Sequence, residues 1–351
     1  AIDPANALTI NGRSTVTFAN ATTNTLASVT LNNLSESNPT LAVGSGSRLL
    51  LTSATPVTAG SANASATSVI SGGTLVLATG ANTFAIDGVK LPGASTVYSQ
   101  LAPTLNISSN ISGAALGLTK TGNGLLQLSG QNDFTAVTVS GGGIVLGSSA
   151  SYPQSGAGVG GPLGAGTVTM AAGARLLVDN NDRQSGNTFV WAGVPEFDNT
   201  GSTARTLTLN ASAAWLSGTN PTVKVSSPYL TVALLGTIPN IADFATLAVS
   251  GPGALVFNVT GAPNLYPLLD NQTVAAGPLA NLLLAVLLYS VVNWTGVQEP
   301  KAVLASPVPA SLAESAGLRG GEWVKHAGFA GEALDGEVLG VAVAAEDLER
   351  L

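Results

Sequence analysis

The chain has 351 residues with 12 basic and 19 acidic side chains, a formal charge of −7, and only 9% charged residues, where a globular domain usually carries about 25%. So sparse and acidic a charge set excludes a nucleic-acid binder, which needs a clustered basic face to displace counterions. Zero Cys excludes disulfides and thiolate chemistry, and a single His, His326, excludes His-rich zinc sites while leaving one Ser-His-Asp geometry open.

Charge divides the chain. Residues 1–270 hold ten acids and eight bases, 271–298 hold none, and 299–351 hold nine acids and four bases. Three segments are expected: 1–277, a long domain rich in small residues; 278–296, an apolar stretch; and 297–351, part of an ordinary α+β module.

The first segment reads as β throughout. Ser14–Phe18, Leu26–Leu31, Thr74–Leu77, Val137–Val139 and Thr206–Leu209 are short alternating runs near Gly, Asn, Ser or Pro. Thr and Val suit a pleated, half-buried surface, and no window shows a capped 3.6-residue period. A repeat then selects the architecture. Gly122-Asn123-Gly124-Leu125-Leu126-Gln127-Leu128-Ser129-Gly130-Gln131-Asn132-Asp133-Phe134 is followed by Val137–Leu146. Gly72–Phe84 is an earlier copy and Gly251–Gly277 a looser one. In this pattern alternating Leu residues point into a stack, Gly turns the corners at positive φ, Asn stacks as a ladder, and Phe or Tyr caps the interior. At roughly 22 residues per turn and about 4.8 Å per rung, twelve turns would stack to roughly 60 Å.

These residues resemble the autotransporter-associated β-strand repeat of bacterial surface passenger domains. The resemblance is close over 120–147, fair at 72–84 and 251–277, and extends by composition over about 1–277. It implies an all-β fold, a right-handed parallel β-helix displayed on the bacterial cell surface or secreted. The chain departs from a full autotransporter in having no translocating β-barrel pattern.

Candidate chemistry in this segment is sparse. A carbohydrate-cleaving solenoid needs paired carboxylates on one exposed face, and the nearest are Asp179, Asp182 and Arg183, then Glu196 and Asp198. Asp179-Asn180-Asn181-Asp182 also offers hard oxygen donors for Ca²⁺, but lacks EF-hand or nonapeptide spacing, so turn chemistry is the expected role. Asn-x-Ser/Thr triplets begin at Asn20, Asn33, Asn63, Asn106, Asn110, Asn210, Asn258, Asn271 and Asn293; a chain this rich in Asn, Ser and Thr generates them by composition. The Gly-rich run 156–166 precedes no Lys-Ser/Thr and is no phosphate loop.

Val274–Val292 is apolar enough to cross a bilayer core as a helix, with Tyr289 and Trp294 at an interface and Asn281 as its strongly polar interior residue. Membrane contact is therefore expected through 278–294. Ala276–Asn281, Gly296–Pro300, Ser306-Pro307 and Ala313-Glu314-Ser315-Ala316-Gly317-Leu318-Arg319-Gly320-Gly321-Glu322-Trp323-Val324 resemble a piece of a bacterial site-2 membrane zinc protease. The resemblance covers about 275–351 and implies a transmembrane helix followed by the start of a PDZ domain, here partial. That family's H-E-x-x-H is absent, and Leu334-Asp335-Gly336 lies in the PDZ-like stretch, so no metal site is carried over.

The expected function is a cell-surface structural or adhesive protein, without catalytic, cofactor or metal residues, whose partners are its own copies or surface and host ligands. The alternative is a membrane-anchored, peptide-binding PDZ-like module without activity. His326, with Ser311 and Ser315 nearby in sequence, is expected to be structural.

Overall fold

The structure is a computed structural model. It describes residues 3–19, 21–34, 38–91, 93, 101–113, 116–150, 161–217, 219–238, 246–257 and 274–276, and then 306, 309, 315, 322–324, 328–329, 341–342 and 348–350. The chain divides into two compact units, Ala1–Asn281 and Leu282–Leu351.

The first unit is built from strands of three to nine residues, all paired in parallel. Three faces account for them. The first stacks Ala7–Asn11, Ser28–Asn33, Val57–Ser61, Ala81–Val89, Leu116–Thr121, Phe134–Val139, Thr167–Met170 and Phe189–Trp191. The second stacks eleven strands, from Thr15–Phe18 through Thr40–Val43, Ser68–Ser71, Leu105–Ile107, Leu125–Leu128, Gly143–Leu146, Arg175–Val178, Glu196–Asn199, Thr222–Val225 and Leu247–Ser250 to Val274–Ala276. The third comes in two blocks: Thr23–Leu26, Arg48–Leu51, Thr74–Leu77 and Asn110–Ser112, then Arg183–Ser185, Arg205–Leu209, Leu230–Leu234 and Ala254–Phe257. In the N-terminal turns each strand pairs with the strand three further on, so the chain coils and stacks rung upon rung, the arrangement of a parallel β-solenoid. Eleven rungs at about 4.8 Å span about 48 Å.

Period-2 patterning fixes which side faces in. Ser28–Asn33 and Leu116–Thr121 alternate between buried and half-buried along their length. Leu41, Ile70, Leu105, Leu126, Ile144, Leu176, Phe197 and Val223 are almost wholly buried and belong to one continuous core. Each buried Leu, Ile or Phe contributes roughly 1.5–3 kcal/mol of transfer free energy, so the stack rather than any single strand carries stability. Outward on the first face, Thr83, Thr119, Thr138 and Thr169 fall in one column of direct partners. β-branched side chains pack well on such a pleat, which explains the high Thr content.

Corners follow the Gly pattern. Gly72 and Gly122 sit at φ 73° and 74°, and a Cβ on either would collide with a backbone carbonyl of the preceding rung, Val43 O or Ile86 O.

Two expectations need correction. Rung length is not uniform near 22 residues: the register offset falls to 18 at Leu125↔Gly143 and rises to 37 at Ser68↔Leu105. The short rung arises because the chain passes from Leu125–Leu128 straight to Phe134–Val139 without a third-face strand. The long one contains the excursion after Lys90: Leu101 stands beside Asp198 and Tyr229, yet Leu105 pairs with Ser68 and Leu126. Outward-facing Leu125, Val145 and Leu177 on the second face are fully buried and form a second apolar cluster. Gly143 allows that cluster, since its missing Cβ would lie about 3 Å from both Leu125 and Leu177 side-chain carbons.

The repeat copies also occupy different places. Leu126 and Leu128 lie on the second face, whereas Leu75 and Leu77 lie on the third. Both copies then lead into a first-face strand, with Phe134 and Phe84 buried. Asn132 and Asn82 do not form the expected ladder. Each instead bonds the backbone of neighbouring rungs: Asn132 Oδ1 accepts from Ile111 N–H at 2.8 Å and its Nδ2 donates to Pro162 O at 2.7 Å, while Asn82 Nδ2 donates to Thr79 O at 2.7 Å and Gly117 O at 3.4 Å. A third instance is Asn187-Thr188-Phe189, where Asn187 Nδ2 donates to Gly164 O and Gly166 O, both at 2.9 Å. A true Asn rung does occur at Asn11 and Asn32, amide to amide at 2.9 Å. The looser copy at 251–277 lies largely outside the described residues.

Phe189–Trp191 is the last described strand of the first face. There Trp191 packs edge-on to Phe197 (5.5 Å) and Trp215 (6.4 Å).

In the second unit, Glu322–Val324 pairs with Leu348–Arg350 and Gly328–Phe329 with Val341–Ala342, both antiparallel, and Ser315 has helical backbone. Most of the partial PDZ-like stretch expected over 297–351 lies outside the described residues. The apolar helix expected over 278–296 lies outside the described residues. Among the described residues no helix is long and apolar enough to cross a membrane.

Candidate functional site

The carboxylates singled out in the sequence lie on neighbouring rungs, and all are engaged. Arg183 closes on Asp179 as a fork, Nε to Oδ1 at 2.7 Å and Nη2 to Oδ2 at 2.6 Å. Both Asp179 oxygens are thereby used, and a guanidinium stands where a cation would bind. Asp182 Oδ1 accepts from Thr206 N–H at 2.8 Å, tying its turn to the next rung. Asn180 takes the tight left-handed corner at φ 60°, a conformation Asn tolerates. Among the described residues no cluster of three His, Cys, Asp or Glu could hold a metal.

Glu196 and Asp198 are two apart on one strand and face outward, because Phe197 between them is in the core. Arg175, Glu196 and Lys224 are direct register partners, a column of alternating charge. Lys224 Nζ donates to Glu196 Oε1 at 3.0 Å and Ser226 Oγ donates to the same oxygen at 2.8 Å. Arg175 Nη1 donates to Asp198 Oδ2 at 3.1 Å. Asp198 is 6% exposed. Burial raises its pKa above the usual carboxylate value, opposed by Asn199 N–H and Arg175 and reinforced by Glu196. The paired carboxylates of a hydrolase are thus present in position, yet each is held by a cation.

Asp198 forms one side of a cleft of about 480 Å³ at the corner after the Glu196–Asn199 and Thr222–Val225 strands. The turn 199–202 supplies Thr200 and Ser202, the turn 226–229 supplies Pro228 and Tyr229, and Leu101 closes it from the excursion. The Tyr229 backbone is fixed at both ends, its N–H donating to Ser227 Oγ at 3.2 Å and its carbonyl accepting from Arg205 N–H at 2.8 Å. Its side chain remains open, the residue being 44% exposed, as is Leu101.

A second cleft, about 370 Å³, opens at the corner of the first and second faces between Ser61, Asp87, Lys90 and Asn123. Beneath it is an unusual core residue. Lys120 occupies the inward column formed by Leu8, Val29, Val57, Phe84, Val139, Met170 and Trp191 and is 0% exposed. Its Nζ donates to Gly122 O at 2.6 Å and Gly141 O at 2.7 Å, pinning two successive corners together. Burial lowers its pKa to about 7 against the upward pull of Asp87.

Lys120 was legible as Leu116-x-Leu118-x-Lys120, a cation at inward parity, but the repeat reading passed over it. Tyr229 and Leu101 carry no shared motif, and only the excursion brings them together. His326 and Ser311 lie outside the described residues.

Over 60 residues, 17% of this chain, the sequence is 47% identical to a protein of Ralstonia nicotianae named "Putative zinc metalloprotease RSc1411". The match spans about 13% of that protein's length. No family model matches the chain, and no solved structure does. A short stretch is therefore similar to about an eighth of that protein.

Proposed function

We propose that this chain is a bacterial cell-surface structural or adhesive protein, displaying a right-handed β-helix of the autotransporter passenger type. The observation that carries this reading is the continuous eleven-stranded parallel second face, on which Glu196 and Asp198 tie neighbouring rungs. The protein works by presenting long, regular faces rather than by turning over a substrate. Strand edges at the end of such a stack can pair with another copy, so self-association is part of the proposal. The tests are an image of the purified particle, sedimentation at rising concentration, and assay with casein and a polysaccharide panel. Rods that lengthen with concentration and show no turnover are expected. A compact, detergent-dependent particle sinks the surface-solenoid reading, and turnover, whether lost or kept in His326→Ala, sinks its non-enzymatic part.

The short similarity to the Ralstonia protein supports a second reading, which the residue pattern of 275–351 places in the C-terminal part: a membrane-anchored, peptide-binding module of site-2 protease origin, without the family's zinc ligands. Loss of membrane association on deleting 278–296 is its expected signature.

A further inference from the structure

The cleft at Asp198 and Tyr229 has features that the rung-tying role of its neighbours does not explain. Its apolar lining is Tyr229 and Leu101, both half-exposed, with Pro228. Its polar lining includes Asp198, Thr200 and Ser202, and each Asp198 oxygen already accepts one hydrogen bond, from Asn199 N–H or from Arg175, leaving further lone pairs. The volume of about 480 Å³ falls within the roughly 300–1,000 Å³ of small-molecule sites. With its backbone already fixed at both polar atoms, Tyr229 has only two side-chain torsions to order on binding, a small cost. In a chain with 5% aromatic residues, placing a tyrosine ring there is a specific feature.

Charge narrows the ligand. Among the described residues the cleft lining contains no Lys or Arg and one carboxylate, already balanced by Arg175. Phosphates, sulfates and uronates meet no cation and one anion there. A cationic ligand would compete with Arg175 for Asp198. A ligand with a flat C–H face and a rim of hydroxyls suits this lining, the face against Tyr229 and the rim against Asp198, Thr200 and Ser202.

We propose that the corner cleft between Asp198 and Tyr229 is a binding site for a neutral pyranose chain, with Tyr229 as the stacking platform and Asp198 as a hydroxyl acceptor. This deepens the adhesive reading and rests on it, naming a surface polysaccharide as the ligand class.

The test uses the full chain with cellotetraose, maltotetraose and mannotetraose as probes, and tetragalacturonate as the anionic comparison, read by saturation-transfer NMR and calorimetry. At least one neutral probe should bind, tetragalacturonate should not, and Tyr229→Ala should weaken binding by about tenfold or more without moving the unfolding midpoint. Tyr229→Phe should keep most of the affinity. Failure of all three neutral probes, binding unaffected by Tyr229→Ala, or equal binding of tetragalacturonate overturns the site. Adhesion of protein-coated beads to cells, run in parallel, separates the two claims. Adhesion without saccharide binding removes the site and leaves the adhesive reading, whereas saccharide binding without adhesion does the reverse.

Discussion

Lys120 makes the stability of the solenoid depend on pH in an unusual direction. In the unfolded chain its amine titrates near 10.5, and burial in the core lowers that to about 7. Between these values the unfolded state holds a proton that the folded state has shed, so stability rises with pH across this window. At about 1.36 kcal/mol per pH unit, the window sets a swing on the order of 5 kcal/mol. A neutral amine keeps two N–H groups, enough for Gly122 O and Gly141 O, so deprotonation need not break the pin. Lys120→Met removes both effects at once. It relieves the buried charge but leaves two carbonyls without their donor, costing roughly 1–3 kcal/mol each. The variant should therefore compare favourably with the wild type below pH 7 and poorly near pH 10. Urea unfolding of both proteins from pH 6 to 10.5 measures this. The wild-type-minus-variant difference should grow by several kcal/mol with rising pH; parallel profiles would show that Lys120 is not titrating in the core and would refute the argument.

Two further perturbations test the rungs. Leu128→Asp places an unpaired charge in a fully buried column and should cost several kcal/mol, read as local proteolysis within 116–146; native protease resistance would show that the register is wrong. Asn132→Ala removes the partners of Ile111 N–H and Pro162 O and should cost about 2–4 kcal/mol, whereas Gln131→Ala, on an exposed neighbour, should stay within about 0.5 kcal/mol. Equal losses in the two would remove Asn132 from the set of rung ties.

The architecture was readable because a solenoid repeats one local rule. Alternating Leu, Thr and Val set the strands, and glycines such as Gly72 and Gly122 mark corners where a side chain would strike the preceding rung. What could not be read was which face a strand joins. Leu75 and Leu126 stand in similar sequence surroundings, yet a missing third-face strand after Leu128 sends the second copy directly to the first face. Period-2 patterning is the same on all three faces, so nothing local distinguishes them. Rung length depends on excursions such as the one after Lys90, whose composition carries no periodic signal.

The same asymmetry governs the site. Asp179, Asp182, Glu196 and Asp198 were visible as the densest carboxylates of a nearly uncharged domain, but their partners were only partly visible. Arg183 follows Asp179 at four residues, while Arg175 and Lys224 meet Asp198 and Glu196 only through rung stacking. A solenoid turns sequence distance into adjacency at intervals that its own loops set, so pairing is decided by register rather than by spacing. Most of the charge in this region is paired within the solenoid, Arg175–Asp198 and Lys224–Glu196 between rungs and Arg183–Asp179 within a turn. What remains for recognition carries no unpaired charge: a ring, hydroxyls, and a carboxylate already balanced. Such a surface discriminates ligands by shape and hydrogen bonding, and its binding should therefore be nearly insensitive to salt, in contrast to a site that works by charge.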